Sequence, residues 1–562
     1  MRQTILLATL IVAMLFLLNC SKRSTETATL AVVNARIWTG NPQQPWAEAL
    51  ASIGERIAAV GSNDEIRALS SDATRLVDAQ GHMLVPGFID CHVHFIQGGF
   101  NLTSVQLRDA RTPQEFVSRI REFAQGLQPG VWIRGGDWDH ENWGGELPRS
   151  DWIDSVTPDN PVMINRLDGH MVLANSAALR AAEVSRDTPD LEGGTIVRDK
   201  DGQPSGIFKD NAMSLIGRAV PAPSSQAVDR ALQAAMRHVA AQGVTSVHDM
   251  GSWEDLEAYR RARRAGGLKT RIYSVVPLAD WERLSGEAQA NGRGDEWLRI
   301  GGLKGFVDGS LGSHTAAFFE PFSDSPQDRG FFINTPENLY QWVSAADRAG
   351  LQVMVHAIGD RAIRTQLDIF QRVAQENGMR DRRFRIEHAQ HIDPADIPRF
   401  AELEIIASMQ PYHAIDDGRW AEKVIGPKRI RTTYAFHSLQ QADARLAFGS
   451  DWFVAPPTPL EGIYAAVTRR TLDGANPQGW VPEQKIALEE ALIAYTRNAA
   501  YASFEESLKG TLAPDKLADY VLLDRDLTAI PPEEIREAQV QLTVIGGEVR
   551  FGSFTPSRNA AK

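Results

Sequence analysis

The sequence predicts an α/β protein built around a (β/α)₈ barrel. Between Met83 and Gly449, eight short apolar runs are separated in several places by helical stretches such as 225–241 and 360–376. Alternation of strands and helices over such a span is typical of a parallel barrel, which carries its active site at the carboxyl ends of its strands. The predicted barrel strands are Met83–Ile89, Gly243–Val247, Arg271–Val276, Gly301–Phe306, Leu351–Val355, Phe384–Glu387, Ile405–Met409 and Leu446–Gly449.

Polar residues that suit a metal centre stand at the ends of five of these runs. His92 and His94 follow the first run, and because side chains alternate along a strand, the two imidazoles point the same way and can hold one divalent metal. Four later residues stand in equivalent places: Lys304, His356, His388 and Asp451. Each could instead be a core histidine, a helix cap or a lysine that reaches the surface. One shared metal centre explains all five positions together, so we favour it.

A long segment separates the first two predicted barrel strands. Residues 98–223 are too many for one strand-to-strand crossover, so we predict an insertion that lies over the mouth of the barrel. The insertion contains Gly-, Trp-, Asp- and His-rich stretches at 132–140 and 167–171. Aromatic and polar groups on such a lid can line a substrate pocket. A simple core position for Trp138 is equally compatible with the sequence.

The order of these residues resembles that of the amidohydrolase superfamily, and closer motifs resemble the amidohydrolase 3 family, which includes N-substituted formamide deformylases. The resemblance extends from about Ala31 to Gly552. One loop residue departs from it, since many relatives carry Arg where this chain has His314. The motifs are Pro86–Asp90, Asp308–Ser313, His356–Asp360, Arg385–Ala389 and Gly449–Asp451.

The resemblance implies a domain organisation. The short predicted strands near both chain ends would form one composite β-sandwich from residues 30–82 and 508–552. The barrel would then comprise residues 83–507, including the insertion. Neither end of the chain is long enough to bury a core alone, which agrees with such pairing.

The resemblance also implies a two-metal site. His92, His94 and Asp451 would hold one ion, and His356 and His388 the second. Lys304 would react with carbon dioxide, and its carbamate would bridge the ions. The identity of the metal is open, because His, Asp and carbamate ligands suit zinc, iron, manganese or cobalt. Zinc is our default. Without carboxylation of Lys304, a one-metal site from His92, His94, His356 and Asp451 stays open, as in the deaminase branch.

These ligands predict a metal-dependent hydrolase acting on a C–N bond of a small amide or cyclic amide. The metals would generate a hydroxide that attacks the carbonyl carbon, and Asp451 would take the water's proton and pass it to the leaving nitrogen. A deaminase or lactonase on the same site and a non-catalytic ligand-binding lipoprotein remain alternatives. The predicted substrate-binding residues are His314, His170, Asp308 and Trp138. His248 and His413 also follow strand ends, where pocket and structural roles are equally open.

Composition supports a folded enzyme and argues against some partners. The chain has 562 residues, with 43% hydrophobic and 23% charged residues, as in globular proteins. Its net charge of -12 argues against binding to nucleic acid, which requires a basic surface. The expected partner is a small-molecule substrate, and the oligomeric state is open.

The N-terminus resembles a lipoprotein signal. Arg2 precedes an apolar run from Ile5 to Leu18, and Leu17–Cys20 resembles a bacterial lipobox. We therefore predict a signal peptide at residues 1–20, lipidation of Cys20 and a polar tether at residues 21–29. The enzyme would then be exported and anchored to a bacterial membrane, although an uncleaved signal anchor is an alternative. The other cysteine, Cys91, is predicted to be a packed thiol that is neither ligand nor nucleophile.

Overall fold

A computed structural model describes residues 27–553. The predicted signal peptide, Cys20 and most of the predicted tether lie outside these residues. Within residues 27–553, no helix has both the length and the apolar character that crossing a membrane requires.

The central element is an eight-stranded parallel sheet that curls into a barrel, which confirms the predicted fold. Neighbouring strands in the sheet are consecutive along the chain, from the first to the eighth. Nearly all of their residues are buried, because the sheet is covered on both faces. The strands are β1 (Phe88–Val93), β2 (Val244–Met250), β3 (Arg271–Pro277), β4 (Leu298–Phe306), β5 (Gln352–Ala357), β6 (Arg385–His388), β7 (Ile406–Met409) and β8 (Arg445–Phe448).

Helices follow the barrel strands and pack on the outside of the sheet. The helix Asp360–Asn377 shows why: its buried residues, among them Ile363, Leu367 and Phe370, recur every three or four positions along one face. The longer helices between barrel strands are Ser225–Ala241, Trp253–Arg264, Trp281–Asn291, Pro336–Arg348 and Asp360–Asn377; shorter ones are Ile397–Glu402, Pro411–Asp417, Ala421–Arg429 and Phe436–Gln441. After β8 come Pro459–Thr468, Leu488–Ala494 and Arg497–Ala502.

Strands from both ends of the described chain form two sheets beside the barrel. The four-stranded sheet consists of Leu30–Val33, Ala49–Ile53, Arg56–Gly61 and Arg75–Asp78. The six-stranded sheet consists of Arg36–Trp38, Trp46–Ala47, Met83–Pro86, Tyr520–Leu523, Val540–Ile545 and Glu548–Phe551. The apolar side chains between these sheets form a small core of their own.

The predicted first barrel strand, Met83–Ile89, is two strands in the structure. Met83–Pro86 pairs with Tyr520–Leu523 in the six-stranded sheet, and only the residues from Phe88 onward join the barrel. The break falls at Gly87, whose position beside Thr245 leaves no room for a side chain, since a Cβ there would lie 2.3 Å from the threonine Oγ1. One continuous apolar run therefore serves two sheets.

The insertion forms a third, six-stranded sheet that carries its own core. Its strands are Val105–Gln106, Ile133–Trp138, Val162–Arg166, Met171–Ala174, Gly194–Arg198 and Pro204–Asp210. The helices Pro113–Gln125, Ser150–Ile153, Ser176–Ala181 and Met213–Gly217 accompany it. His170, Asp168 and Asp210 from the insertion line cavities that also contain residues from the ends of the barrel strands. The insertion therefore contributes to the wall of the barrel mouth.

Candidate metal centre

Two histidines and one aspartate meet where the first and last barrel strands come together. His92 lies in β1 and His94 follows it, and Asp451 follows β8. The Nε2 atoms of His92 and His94 are 3.6 and 3.5 Å from the same carboxylate oxygen, Oδ1 of Asp451. This oxygen is buried and has no hydrogen-bond partner. A buried, unpaired carboxylate oxygen between two imidazole nitrogens is a natural place for a cation.

The backbone at this site is strained. Asp451 and His388 adopt left-handed conformations, with φ of 61° and 73°. Such a conformation costs a non-glycine residue about 1–3 kcal/mol. The strain turns both side chains towards the centre of the barrel mouth.

A buried ion pair fixes the orientation of His92. Its Nδ1–H donates to Oε2 of Glu387 at 2.5 Å, which leaves Nε2 with a free lone pair facing Asp451. Glu387 also pairs with Arg385 at 2.7 Å and accepts a hydrogen bond from Ser408 Oγ at 2.6 Å. Burial alone would raise the pKa of Glu387, but Arg385, His92 and Lys304 together outweigh it and lower the pKa to about 2. A carboxylate that holds the far side of a ligating imidazole is typical of metal sites.

Lys304 lies against His92 in the group formed by His92, His94 and Asp451. Its Nζ is 3.1 Å from Nε2 of His92. Burial lowers the pKa of the Lys304 amine to about 8. An ammonium in this place would compete with a metal ion for the same imidazole lone pair, so metal binding at His92 requires a neutral or modified Lys304.

His356 and His388 lie on the other side of the centre, as the sequence predicts. Their ring centroids are 4.5 Å apart, and that of His388 is 4.8 Å from that of His92. His356 Nε2 donates to the carbonyl of Gly309 at 3.0 Å, which fixes its tautomer. Burial lowers the pKa of both rings well below the usual value, so they are neutral, the form that binds metals.

Of the four predicted substrate-binding residues, His170 lies beside the site. Its ring centroid is 4.9 Å from that of His356, and it lines both cavities at the barrel mouth. Nδ1 of His170 pairs with Oδ1 of Asp210 at 2.6 Å, which leaves the other ring nitrogen for a ligand.

Asp308 has a different position from the one expected of a substrate contact. It is fully buried, and its carboxylate accepts backbone hydrogen bonds from Ala317, Ile358 and Gly359 at 2.8–3.0 Å. Its oxygen Oδ1 is also 3.7 Å from Nε2 of His356. Asp308 therefore anchors the loops that carry His356 instead of facing the cavity.

The structure does not bring Trp138 or His314 to the site. Trp138 is fully buried in the core of the insertion, where its Nε1–H donates to the carbonyl of Ile164 at 3.1 Å. His314 pairs with Asp324 at 3.0 Å and packs edge-on against Phe322. Both side chains have satisfied partners elsewhere, which corrects the prediction that they contact substrate.

Glu387 and Arg385 support the site without having been predicted to do so, although both lie inside the motif Arg385–Ala389. The signal that could have found them is the alternation Arg385-Ile386-Glu387 in a strand otherwise expected to be apolar. Two charged residues on the same face of a buried strand must have partners in the barrel interior. Cys91 is buried, and its Sγ lies 3.3 Å from Oγ of Ser408, as expected for a packed thiol.

A cavity of about 260 Å³ opens in front of the ligands. Its lining includes the polar residues His94, His170, Lys304 and Asp451 and the apolar residues Met213, Phe306, Ile333 and Phe453. The site thus offers buried imidazole and carboxylate donors next to an apolar wall. These donors fit a divalent metal ion, and an unpaired Asp451 oxygen needs one.

The fold and this site define a metal-dependent hydrolase of the barrel type. The chain belongs to the Amidohydrolase family (Amidohydro_3), whose sequence model matches residues 75–551, and the predicted resemblance is thereby confirmed. Protein LONG AFTER FAR-RED 3 of Arabidopsis thaliana is 40% identical over 534 residues, covering 93% of this chain and 91% of that protein. The N-substituted formamide deformylase of Arthrobacter pascens is 28% identical over 550 residues, covering 94% and 99%.

A solved structure supports the same assignment. An uncharacterized metal-dependent hydrolase from Pyrococcus horikoshii OT3 superposes with a TM-score of 0.73 and 27% sequence identity. The match covers 90% of this chain and 99% of that one. Most of this chain therefore shares its architecture with that hydrolase.

Proposed function

We propose that this protein hydrolyses the C–N bond of a small amide or cyclic amide with one or two bound divalent metal ions. The observation that carries the proposal is the group of His92, His94 and Asp451, of which His94 and Asp451 line a partly apolar cavity. A relative that aligns with almost the whole chain is named for a C–N bond, that of N-substituted formamides.

A divalent ion at this site supplies Lewis acidity and lowers the pKa of a water molecule. Asp451 would be the proton acceptor for that water through Oδ2, because Oδ1 faces the Nε2 atoms of His92 and His94 and would hold the ion. The same carboxyl then delivers the proton to the leaving nitrogen. His170, paired with Asp210, lies at the cavity wall; burial lowers its pKa, but the neighbouring charges of Asp210 and Asp168 raise the pKa above its usual value, so the protonated ring can donate Nε2–H to the substrate carbonyl.

We further propose that Lys304 carries a carbamate and that zinc is the metal. The support is electrostatic: an ammonium 3.1 Å from Nε2 of His92 opposes a cation there, whereas a carbamate attracts it. Replacement of Lys304 by Ala is expected to reduce bound metal from about two ions per chain to about one. A wild-type content of about one ion, unchanged in that variant, would favour the one-metal alternative, whereas two ions in both chains would refute the carbamate bridge.

The cavity indicates the kind of substrate. Phe306, Ile333 and Phe453 form an apolar wall next to the metal ligands. A small amide with an apolar substituent on one side of the C–N bond would fit between this wall and the ligands. The substrate class is therefore a neutral, partly apolar amide.

The test is a metal-dependent assay on the full chain, loaded with Zn²⁺ and supplied with N-substituted formamides and cyclic amides. Release of amine or ring opening is expected, and the Asp451→Asn variant should lose at least about 100-fold in turnover. The exposed His437 provides a control, because His437→Asn should retain wild-type activity.

Parallel assays on lactones and aminated heterocycles separate the alternatives. Preference for a lactone or for deamination would replace the C–N amide proposal with that activity. Metal-independent or undetectable turnover on every class would favour a ligand-binding protein. Full activity in Asp451→Asn would refute the role of this carboxylate.

A further inference from the structure

His413, a further histidine next to the ligand cluster, has no assigned role. His413 lies in the helix Pro411–Asp417, directly after β7. It is 8% exposed, and its Nε2 is buried with no hydrogen-bond partner. A buried, unpaired imidazole nitrogen costs free energy unless a ligand, water or ion completes it.

The surroundings of His413 contain the remaining ligands for a cation. One ligand atom each from His388, His413 and Asp451 lie within 4.8 Å of one another. The rings of His388 and His413 are stacked almost in parallel, 10° apart, with their centroids separated by 6.5 Å. The three residues line a small cavity of about 40 Å³, which exceeds the space that one water-sized group needs.

Asp451 belongs to both compact ligand groups. His92, His94 and Asp451 form one, and His388, His413 and Asp451 form the other. Two imidazoles and a carboxylate are a usual ligand set for zinc, manganese or cobalt. The nearby Asp416 pairs with Arg419, and no hydrogen bond joins it to the unpaired Nε2 of His413.

We infer that His413 is a ligand of a second divalent cation, together with His388 and with Asp451 shared between the two ions. This inference rests on the proposed function only in placing divalent ions at the barrel mouth. It adds a ligand from β7 to the set that the sequence predicts from β1, β4, β5, β6 and β8. The insertion residues Arg166 and Asp168 line the same small cavity as His388, His413 and Asp451.

The test is a metal titration of three full-length chains: wild type, His413→Asn and the surface control His437→Asn. Each is stripped with a chelator and titrated with Co²⁺, and bound metal is counted by mass spectrometry at each free concentration. Wild type and the control should bind about two ions, whereas His413→Asn should bind the second at least about tenfold more weakly. A His413→Glu variant, which keeps a ligand atom at this position, should recover part of the lost affinity.

Two results would overturn the inference. One is a second ion that His413→Asn binds with wild-type affinity, and the other is a wild-type chain that binds a single ion. Metal counts do not depend on which bond is hydrolysed. Two bound ions in the wild type, with the second weakened in His413→Asn, but without any amide turnover would therefore refute the proposed function while supporting the role of His413.

A measurement on the wild-type chain alone covers the case in which His413→Asn does not fold, as judged by circular dichroism. Crystals of the Co²⁺-loaded wild-type protein would give anomalous difference peaks at each ion. A second peak within about 2.3 Å of a His413 ring nitrogen supports the inference, and a second peak bonded only to other residues refutes it.

Discussion

Replacement of Glu387 by Gln tests whether the ion pair below the ligands controls metal binding. Gln has nearly the same size but no charge, so it removes the strong acceptor for Nδ1 of His92 and the partner of Arg385. Both bonds are short, at 2.5 and 2.7 Å, and all three residues are fully buried. The change therefore acts on the far side of a ligand without touching any ligand atom.

The expected size has two parts. Loss of a carboxylate that supports a ligating histidine typically weakens metal binding 10- to 100-fold, which corresponds to about 1.4–2.7 kcal/mol. Breaking a buried ion pair costs about 3–5 kcal/mol of stability, because the remaining charge of Arg385 stays buried. Gln can still accept from Ser408 and Arg385, so we expect a stability loss at the lower end of this range.

The assay pairs a chelator competition for metal affinity with urea unfolding of the metal-free chain. A matched control is Glu505→Gln, which breaks another buried ion pair, with Lys509 at 2.9 Å. Lys509 also donates to Ser246, and neither residue of this pair contacts a candidate ligand. The control should lose stability and keep its metal affinity.

Control of metal binding by Glu387 would be refuted by a Glu387→Gln chain that loses stability yet binds metal as tightly as wild type. In that case the carboxylate would serve only the fold. An equal loss of metal affinity in both variants would also refute it, because the effect would then follow from general destabilisation.

Three further predictions concern other parts of the chain. Trp138→Phe should cost about 1–3 kcal/mol in urea unfolding, because the Ile164 carbonyl loses its donor, and should leave KM unchanged. Burial, and then the charge of Asp255, raise the pKa of Asp249 to about 8. The stability that this group contributes is complete below its unfolded pKa and is lost as pH rises through about 8. The free energy of unfolding, measured from about pH 5 to 9, should therefore fall less in Asp249→Asn than in wild type. We also propose that Cys20 is lipidated in an exported chain, so Cys20→Ser should abolish labelling with a radioactive fatty acid and release the chain from membranes.

The barrel strands could be predicted, and the ligand set proposed, because their signals are local. An apolar run followed by His, Lys or Asp reports both the strand and the place where its side chain emerges. The boundary within Met83–Ile89 could not be read in this way, since both halves of the run are apolar and only the partner strands distinguish them. Pairing between distant segments decides such boundaries.

The role of Glu387 and the position of Trp138 could not be read for a related reason. Glu387 meets His92 across 295 residues of chain, so no local pattern connects them. Trp138 stands in a Gly-, Asp- and His-rich stretch that resembles a pocket lining, but the pleat of the insertion sheet turns its side chain into a core. Direction within a sheet depends on register, which the sequence of one strand does not specify.

Closure of the barrel and assembly of the ligands depend on the same segment. The first and last strands meet only through a few contacts near the mouth: the N–H of Asp451 donates to the carbonyl of His92 at 2.7 Å, and the carboxylate of Asp90 accepts from Ser450 N–H at 2.8 Å. Gly449 permits this approach, since a Cβ there would lie 2.6 Å from the His92 nitrogen. A cation held by His92, His94 and Asp451 would therefore bridge this seam, and its binding free energy would add to the stability of the closed barrel.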